Sequence, residues 1–391
     1  MHGGTKARET SLAKGLAALV SADPLYNYQK RGMPMQRLKN FLSVSVLAAS
    51  IAVGGAGYAK AEVKKDFKIA WSLYVGWMPW GYAVNHGIVK KWAAKYGINI
   101  EVTQFNDYVE SINQYTAGAF DGVMLANMDG LSIPAAGGVD TTAFIVGDFS
   151  NGNDAVILKD KSKLEDIRGQ NVNLVEYSVS HYLLARALES VGMSERDVKV
   201  VNTSDADLIA AYQTPDVTAV VSWNPLVATI LEDPSARSVF DSSQIPGEII
   251  DLAVANTQVL KDNPDLGKAL AGIWYEAAAL LTADTAEGKA AREEMAAASG
   301  TDLKGFEMQL RATRAFDKPA EAAAFLKSGD LVKTMDRVRN FLFKKGLLGS
   351  GAASADVIGI EMPDNSVLGD KENVKFRFSS TYMDAAANGA L

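Results

Sequence analysis

Residues 71–82 read Trp-Ser-Leu-Tyr-Val-Gly-Trp-Met-Pro-Trp-Gly-Tyr, which places five aromatic residues in twelve positions. The run follows a strand-like segment, Phe67 to Ala70, and precedes an amphipathic helical pattern. A strand that ends in an aromatic loop and opens a helix is where an open α/β sheet binds its ligand. The aromatic residues keep neither period 2 nor period 3.6, so as a set they make a poor continuous core, although any one tryptophan taken alone is better explained as packing. Trp71, Tyr74, Trp77 and Trp80 are therefore candidate walls of a small-molecule site.

Upstream lies an address. Residues 35–61 carry Arg37 and Lys39, an apolar run from Phe41 to Val53, and Ala59-Lys60-Ala61. This is the pattern of a secretory signal peptide, and the apolar run is too short to span a membrane. The mature chain is expected to begin near Glu62, with residues 1–34 an extension ahead of a better start at Met33 or Met35. Residues 1–61 hold eight Lys or Arg and two acids, so the remainder has 31 basic and 44 acidic residues, a net charge near −13. Such a surface repels nucleic acid and anionic lipid. The chain has no cysteine; a domain of this size needs no disulfide, and a thiol-linked lipid anchor is excluded. The expected location is the periplasm.

Working outward from the aromatic loop, strands and helices alternate. Met78 to Tyr96 reads as one helix stopped by Gly97, Ile98 to Thr103 as a strand, Asp107 to Ala117 as a helix capped by Asp107, and Gly122 to Ala126 as a strand. Thr141 to Val146 and Asp154 to Leu158 are strand-like on either side of Gly147-Asp148-Phe149-Ser150-Asn151-Gly152-Asn153. A second unit of the same plan follows, with strands Val172 to Val175, Val198 to Val201 and Val217 to Val221. Ile249 to Ala255 returns from it, and Pro264 to Lys345 is nearly all helical. The expected architecture is an α/β two-lobed clamshell, each lobe a doubly wound, mainly parallel sheet, with a helical C-terminal part. The large lobe is expected over 62–158 and 249–349, the small inserted lobe over 159–248, and a tail over 350–391 packed on the large lobe.

These residues carry a resemblance. The chain resembles the solute-binding proteins of ATP-driven importers of the nitrate, sulfonate and taurine type, and more closely a branch labelled urea-binding, encoded near urea carboxylase and associated with guanidine uptake. The matching stretches are Trp71 to Tyr82, Gln114 to Gly118, Asn127 to Asp129, Gly147 to Asp154, Leu174 to Leu184, Asn202 to Asp207, Ser222 to Pro225 and the tail around Phe376 to Tyr382. The resemblance implies capture of a small solute, with delivery to an inner-membrane permease and its ATPase. A monomer without a cofactor is expected.

If the sheets are parallel, the loops at their strand ends face one cleft and bring Asn127, Asp129, Glu176, Ser178, Trp223 and Asn224 to the tryptophans. None of these loops contains Lys or Arg. A nitrate or sulfonate receptor is expected to meet its anion with a cation or several oriented N–H donors. A carboxylate at Glu176 would repel such an anion, so the loops favour a cation or a neutral molecule rich in donors. Guanidinium is planar, weakly hydrated and always charged, which suits stacking on indole and pairing with carboxylates. It ranks ahead of urea; nitrate, sulfonate, taurine and pyrimidine-type solutes are the alternatives. Each residue also has a structural explanation: Asp129 and Ser178 as helix caps, Glu176 as a solvated rim residue, Tyr74 as packing, Trp223 and Asn224 as a turn before Pro225, Asp148 and Asp154 as hinge residues.

Catalysis is the competing class. His2 lies ahead of the mature chain, while His86 and His181 fall in different helices, so no metal cluster is visible. There is no phosphate-binding loop and no Gly-x-Ser-x-Gly, whose spacing Gly147 to Gly152 misses. Pyrimidine-synthesising enzymes share the clamshell, but their cysteine-based chemistry is impossible here. The one acid–base pair on offer is His181 with Glu176, and a receptor is the simpler expectation.

Overall fold

The computed structural model describes residues 64–391; the expected signal peptide and the extension before it lie outside the described residues. The strands are β1 (Asp66–Ser72), β2 (Asn99–Phe105), β3 (Gly122–Ala126), β4 (Thr141–Ser150), β5 (Ala155–Lys159), β6 (Asn171–Leu174) and β7 (Lys199–Asn202). They continue with β8 (Ala219–Ser222), β9 (Ala236–Asp241), β10 (Ile250–Asn256), β11 (Thr313–Ala315), β12 (Gly359–Glu361), β13 (Val367–Leu368) and β14 (Val374–Phe378). A nine-stranded sheet runs β13-β12-β14-β4-β10-β3-β1-β2, with β11 also on β4; a five-stranded sheet runs β7-β6-β8-β5-β9.

Both sheets are mixed. β1 pairs in parallel with β2 and β3, and β14 with β4, but β10 lies antiparallel between β3 and β4. In the smaller sheet β5 is antiparallel to both β8 and β9. The mainly parallel reading is thus corrected at the centre of the large sheet. β10 enters it from the small sheet, at the end where β4 left, and so runs the other way. Hydrophobic periodicity carries no information about strand direction, and β3, β4 and β10, buried on both faces, read as continuous apolar runs in either case.

The chain crosses between the sheets twice, after β4 and before β10. The first crossing lies between Ser150 and Ala155, earlier than the expected boundary at residue 159, because Ala155–Lys159 belongs to the small sheet. Hydroxyls stitch the two crossings together: Ser150 Oγ lies 2.6 Å from Ser242 Oγ, and donates to Asp154 Oδ2 at 2.5 Å. Beside the second crossing, the carboxylate of Glu248 accepts from Tyr182 and Arg186 of the small lobe and from Arg337 of the C-terminal helix Gly329–Lys344.

The segment read as one helix from Met78 to Tyr96 is two, Met78–Asn85 and Ile88–Tyr96. Gly87, at φ +71°, takes the left-handed conformation that lets the chain restart at a new angle. Asp107 caps Tyr108–Thr116 by accepting from the Glu110 amide. The long helix Pro264–Thr282 is buried along most of its length and packs on the helices that follow β1. The tail after Gly349 adds β12, β13 and β14 to the large sheet, with Phe376 opposite Thr141.

Candidate ligand-binding cleft

The end of β1, the end of β3 and the start of β10 converge where the two sheets meet. From the large lobe Tyr74, Trp77, Tyr108 and Ala126 line a cavity there; from the small lobe come Val179, at the start of the helix Val179–Ser190, and Trp223, just after β8. Asp154, Ile249 and Asp251 close it at the crossings. In this closed arrangement it is small: ≈ 20 Å³ is open to the centre of a water-sized sphere, little more than one water requires. Its rings form a chain across the two lobes: Tyr74 and Trp77 meet edge-on at 5.2 Å, Trp77 and Tyr108 at 5.8 Å, and Tyr108 and Trp223 edge-on at 5.5 Å.

Behind the rings lie carboxyl groups. Asp129 is fully buried; its Oδ2 accepts from the Tyr108 hydroxyl at 2.6 Å, while Oδ1 has no partner. Burial pushes its carboxyl up to about 7, with the Tyr108 hydroxyl and the Val179 amide pulling the other way. Asp148 on β4 and Asp251 on β10 stand directly opposite each other across an antiparallel pair, an arrangement that disfavours two charges. Asp148 Oδ1 accepts from the Tyr74 hydroxyl at 2.8 Å, and Oδ2 has no partner. That oxygen sits over Gly76, where a Cβ would come within 2.2 Å of it. Burial raises Asp148 to about 7, and burial and then the Asp148 charge raise Asp251 well above the usual carboxylate range, so the pair resists carrying two charges. Asp154 is likewise raised to about 7 by burial, against the Ser150 hydroxyl. No Lys or Arg lines the cavity.

Of the residues singled out in the sequence, Tyr74, Trp77 and Trp223 line the cavity, and Asp129 and Asp148 stand one hydrogen bond behind it. Six others are placed elsewhere. Trp71 lies with its ring against Gly81 and opens on a separate outer groove with Tyr82 and Met295. Trp80 faces the core and packs on Trp274 at 5.6 Å. The Asn127 side chain donates to the Glu248 carbonyl and accepts from the Ile250 amide, fastening β3 to the start of β10. Glu176 is a half-buried residue whose amide is held by Asn202. Ser178 caps its helix, accepting from the Ser180 amide and donating to the Val175 carbonyl. Asn224 donates to Asn153 Oδ1 at 2.8 Å and accepts from the Ala228 amide. His181 does not pair with Glu176: its Nε2 meets Glu195 and its Nδ1 accepts from the Tyr177 amide. Burial, followed by the nearby Lys345 charge, lowers it to about 4.

Tyr108, Val179, Ile249 and Asp251 were not among the candidates. Asp251 had a signal, since a lone acid inside the apolar run Ile249 to Ala255 is a charge awaiting a partner. Tyr108 had none, as a tyrosine at a helix start is unremarkable. Among the described residues no group of His, Cys, Asp or Glu converges as a metal site, and no helix is long and apolar enough to cross a membrane.

Two mixed sheets joined by two crossings, with a cavity between them, define the class: this is the periplasmic-binding-protein fold. The alkanesulfonate-binding protein of Xanthomonas axonopodis pv. citri, bound to MOPS, superposes with a TM-score of 0.61 over 74% of this chain and 96% of that one, at 17% identity. The periplasmic aliphatic sulphonate-binding protein of Escherichia coli gives 0.57 over 73% and 94%, at 18% identity. Within that fold the chain belongs to the NMT1-like family, whose profile matches residues 70–299. The taurine-binding periplasmic protein of E. coli K12 is 24% identical over 185 residues, 46% of this chain and 56% of that protein. The match thus spans little more than half the length of that curated relative. Neither it nor the two solved structures is described as binding urea or guanidine.

Proposed function

We propose that this protein is the solute-capturing component of an ATP-driven importer, that it works in the periplasm, and that its ligand is a small planar nitrogen cation, guanidinium ahead of urea. The observation that carries the reading is the set of four buried carboxyl groups, Asp129, Asp148, Asp154 and Asp251, around one aromatic cavity with no cation in its lining. One carboxylate oxygen of Asp129 is buried without a partner, and Asp148 has, beyond the Tyr74 hydroxyl, only the acid Asp251 beside it. A buried acid without a counter-charge stays protonated or takes one from outside. Guanidinium supplies charge, in-plane N–H donors for such oxygens and a flat face for Trp77 or Trp223, where cation–π contact is worth about 0.5–2 kcal/mol. Delivery to a permease is part of this reading, supported by analogy with the periplasmic binding proteins that the chain resembles.

Taurine or an alkanesulfonate is the second reading, favoured by what the relatives bind. Its sulfonate would have to lie among these carboxyls, so its affinity would fall as they ionise. The signs therefore differ. For a cation, binding lowers the carboxyl pKa values and expels protons, so affinity rises with pH up to about 7 and then levels off. For urea it is nearly flat, and for a sulfonate it declines. Calorimetric titration of the chain from Glu62 onward with guanidinium chloride, urea and taurine at pH 5.5, 7.0 and 8.5 is the test. Saturable heat with taurine alone, or product formed from any of the three, would overturn the reading.

A further inference from the structure

We propose that Asp205 is the latch between the lobes, a positioning residue that acts through the backbone of Tyr108. Asp205 heads the helix Asp205–Tyr212 of the small lobe. Tyr108 heads the helix Tyr108–Thr116 of the large lobe, and its amide is one of the donors that a helix start leaves without an intrahelical partner. The Tyr108 amide donates to Asp205 Oδ1 at 3.2 Å, and the Asp205 side chain is buried. Burial raises its carboxyl to about 6, with the Tyr108 amide opposing and the Asp107 charge adding to the rise. Among the described residues no Lys, Arg or His forms an ion pair with it.

The small-lobe acid therefore has its cross-lobe partner only while the lobes are together. Asp107 already caps the same helix from within the large lobe by taking the Glu110 amide, so the bond from Tyr108 is not needed to form the helix. Tyr108 also reaches the cleft: its hydroxyl holds Asp129, and its ring lies between Trp77 and Trp223. One residue thus joins the latch to the ligand site. The latch stands apart from the cation-capture reading, which it needs only for the ligand used in one arm of its test. A hydrogen bond to a charged acceptor is worth about a tenfold change in an equilibrium.

Since the chain lacks cysteine, Ala94→Cys and Ser162→Cys, exposed positions on the two lobes, give specific sites for paired fluorophores. Single-molecule energy transfer without ligand should show the closed-to-open ratio falling about tenfold in Asp205→Ala, less in Asp205→Asn, whose amide oxygen still accepts, and not at all in Asp107→Ala. With guanidinium, Asp205→Ala should raise the off-rate about tenfold and leave the on-rate unchanged. A closed-to-open ratio in Asp205→Ala within about twofold of the parent, or the same loss in Asp107→Ala, would overturn the latch. Failure of the parent to bind guanidinium would count against the cation reading alone, because the ligand-free closed fraction still decides the latch.

Discussion

Two clusters of buried acid lie near the second crossing, and they are solved in opposite ways. Glu248 is 6% exposed, about as buried as Asp251 at 6%, yet burial is more than offset by Arg186, Tyr182 and Arg337, which hold its carboxyl below the usual range. A few residues on, Asp251 and its neighbours Asp148, Asp154 and Asp129 have tyrosine and serine hydroxyls but no cation, and all four are raised. The protein supplies its own guanidinium groups to one acid and withholds them from the others. Similar surface exposure with opposite charge balance separates a structural ion pair from a site that awaits its counter-ion.

The largest expected effect breaks the filled cluster. Glu248→Ala leaves Arg186 facing a buried gap and should destabilise the protein by about 3 kcal/mol, read by urea unfolding, with the cleft residues untouched. Next comes the unfilled cluster: Asp148→Asn should weaken guanidinium binding by about 2 kcal/mol in calorimetry while raising the ligand-free melting temperature, the reverse of Glu248→Ala. If Asp148→Asn instead lowers stability as Glu248→Ala does, the two regions are not different in kind.

pH sharpens the contrast. An acid with a raised folded-state pKa contributes stability that is fully present below its unfolded value and is lost as pH rises through about 7. Glu248, held low, contributes stability above its unfolded value that is lost as the solution becomes acid. The ligand-free melting temperature should therefore fall between pH 5.5 and 8.5 by about 5 °C, and millimolar guanidinium should suppress that fall. A flat profile would mean that the cleft acids are already compensated. The smallest effect is in the rings: Trp77→Ala should weaken binding by about 1 kcal/mol, whereas Trp80→Ala should lower stability and leave the affinity of the remaining folded protein unchanged.

Element positions were legible, because Gly122 to Ala126 and the caps at Asp107 and Ser178 declare themselves in residue type and spacing. Strand direction was not, since β10 reads the same in either sense. For the site, the aromatic loop led to Tyr74 and Trp77 but equally to Trp71 and Trp80, which a strand's alternation and a helix's turn aim elsewhere. Glu176 stood at a strand end as expected, yet such a position does not settle where a side chain points. Asp148 reads as a hinge residue in a loop and Asp251 is passed over, because their meeting across the sheet depends on a register that only the fold supplies.

The large sheet also has an order of completion. β4 lies between β10 and β14, and β14 comes from residues 374–378; the ion pair of Asp140 with Arg377 beside that contact joins positions 237 apart in sequence. Until the last strands arrive, the stretch of the apolar β4 from Thr141 to Ala143 is an open edge, β11 covering only its far end. Contacts this distant close late and slow the folding of a chain, so cutting after Gly349 should convert an interior strand into an adhesive border rather than trim an ornament.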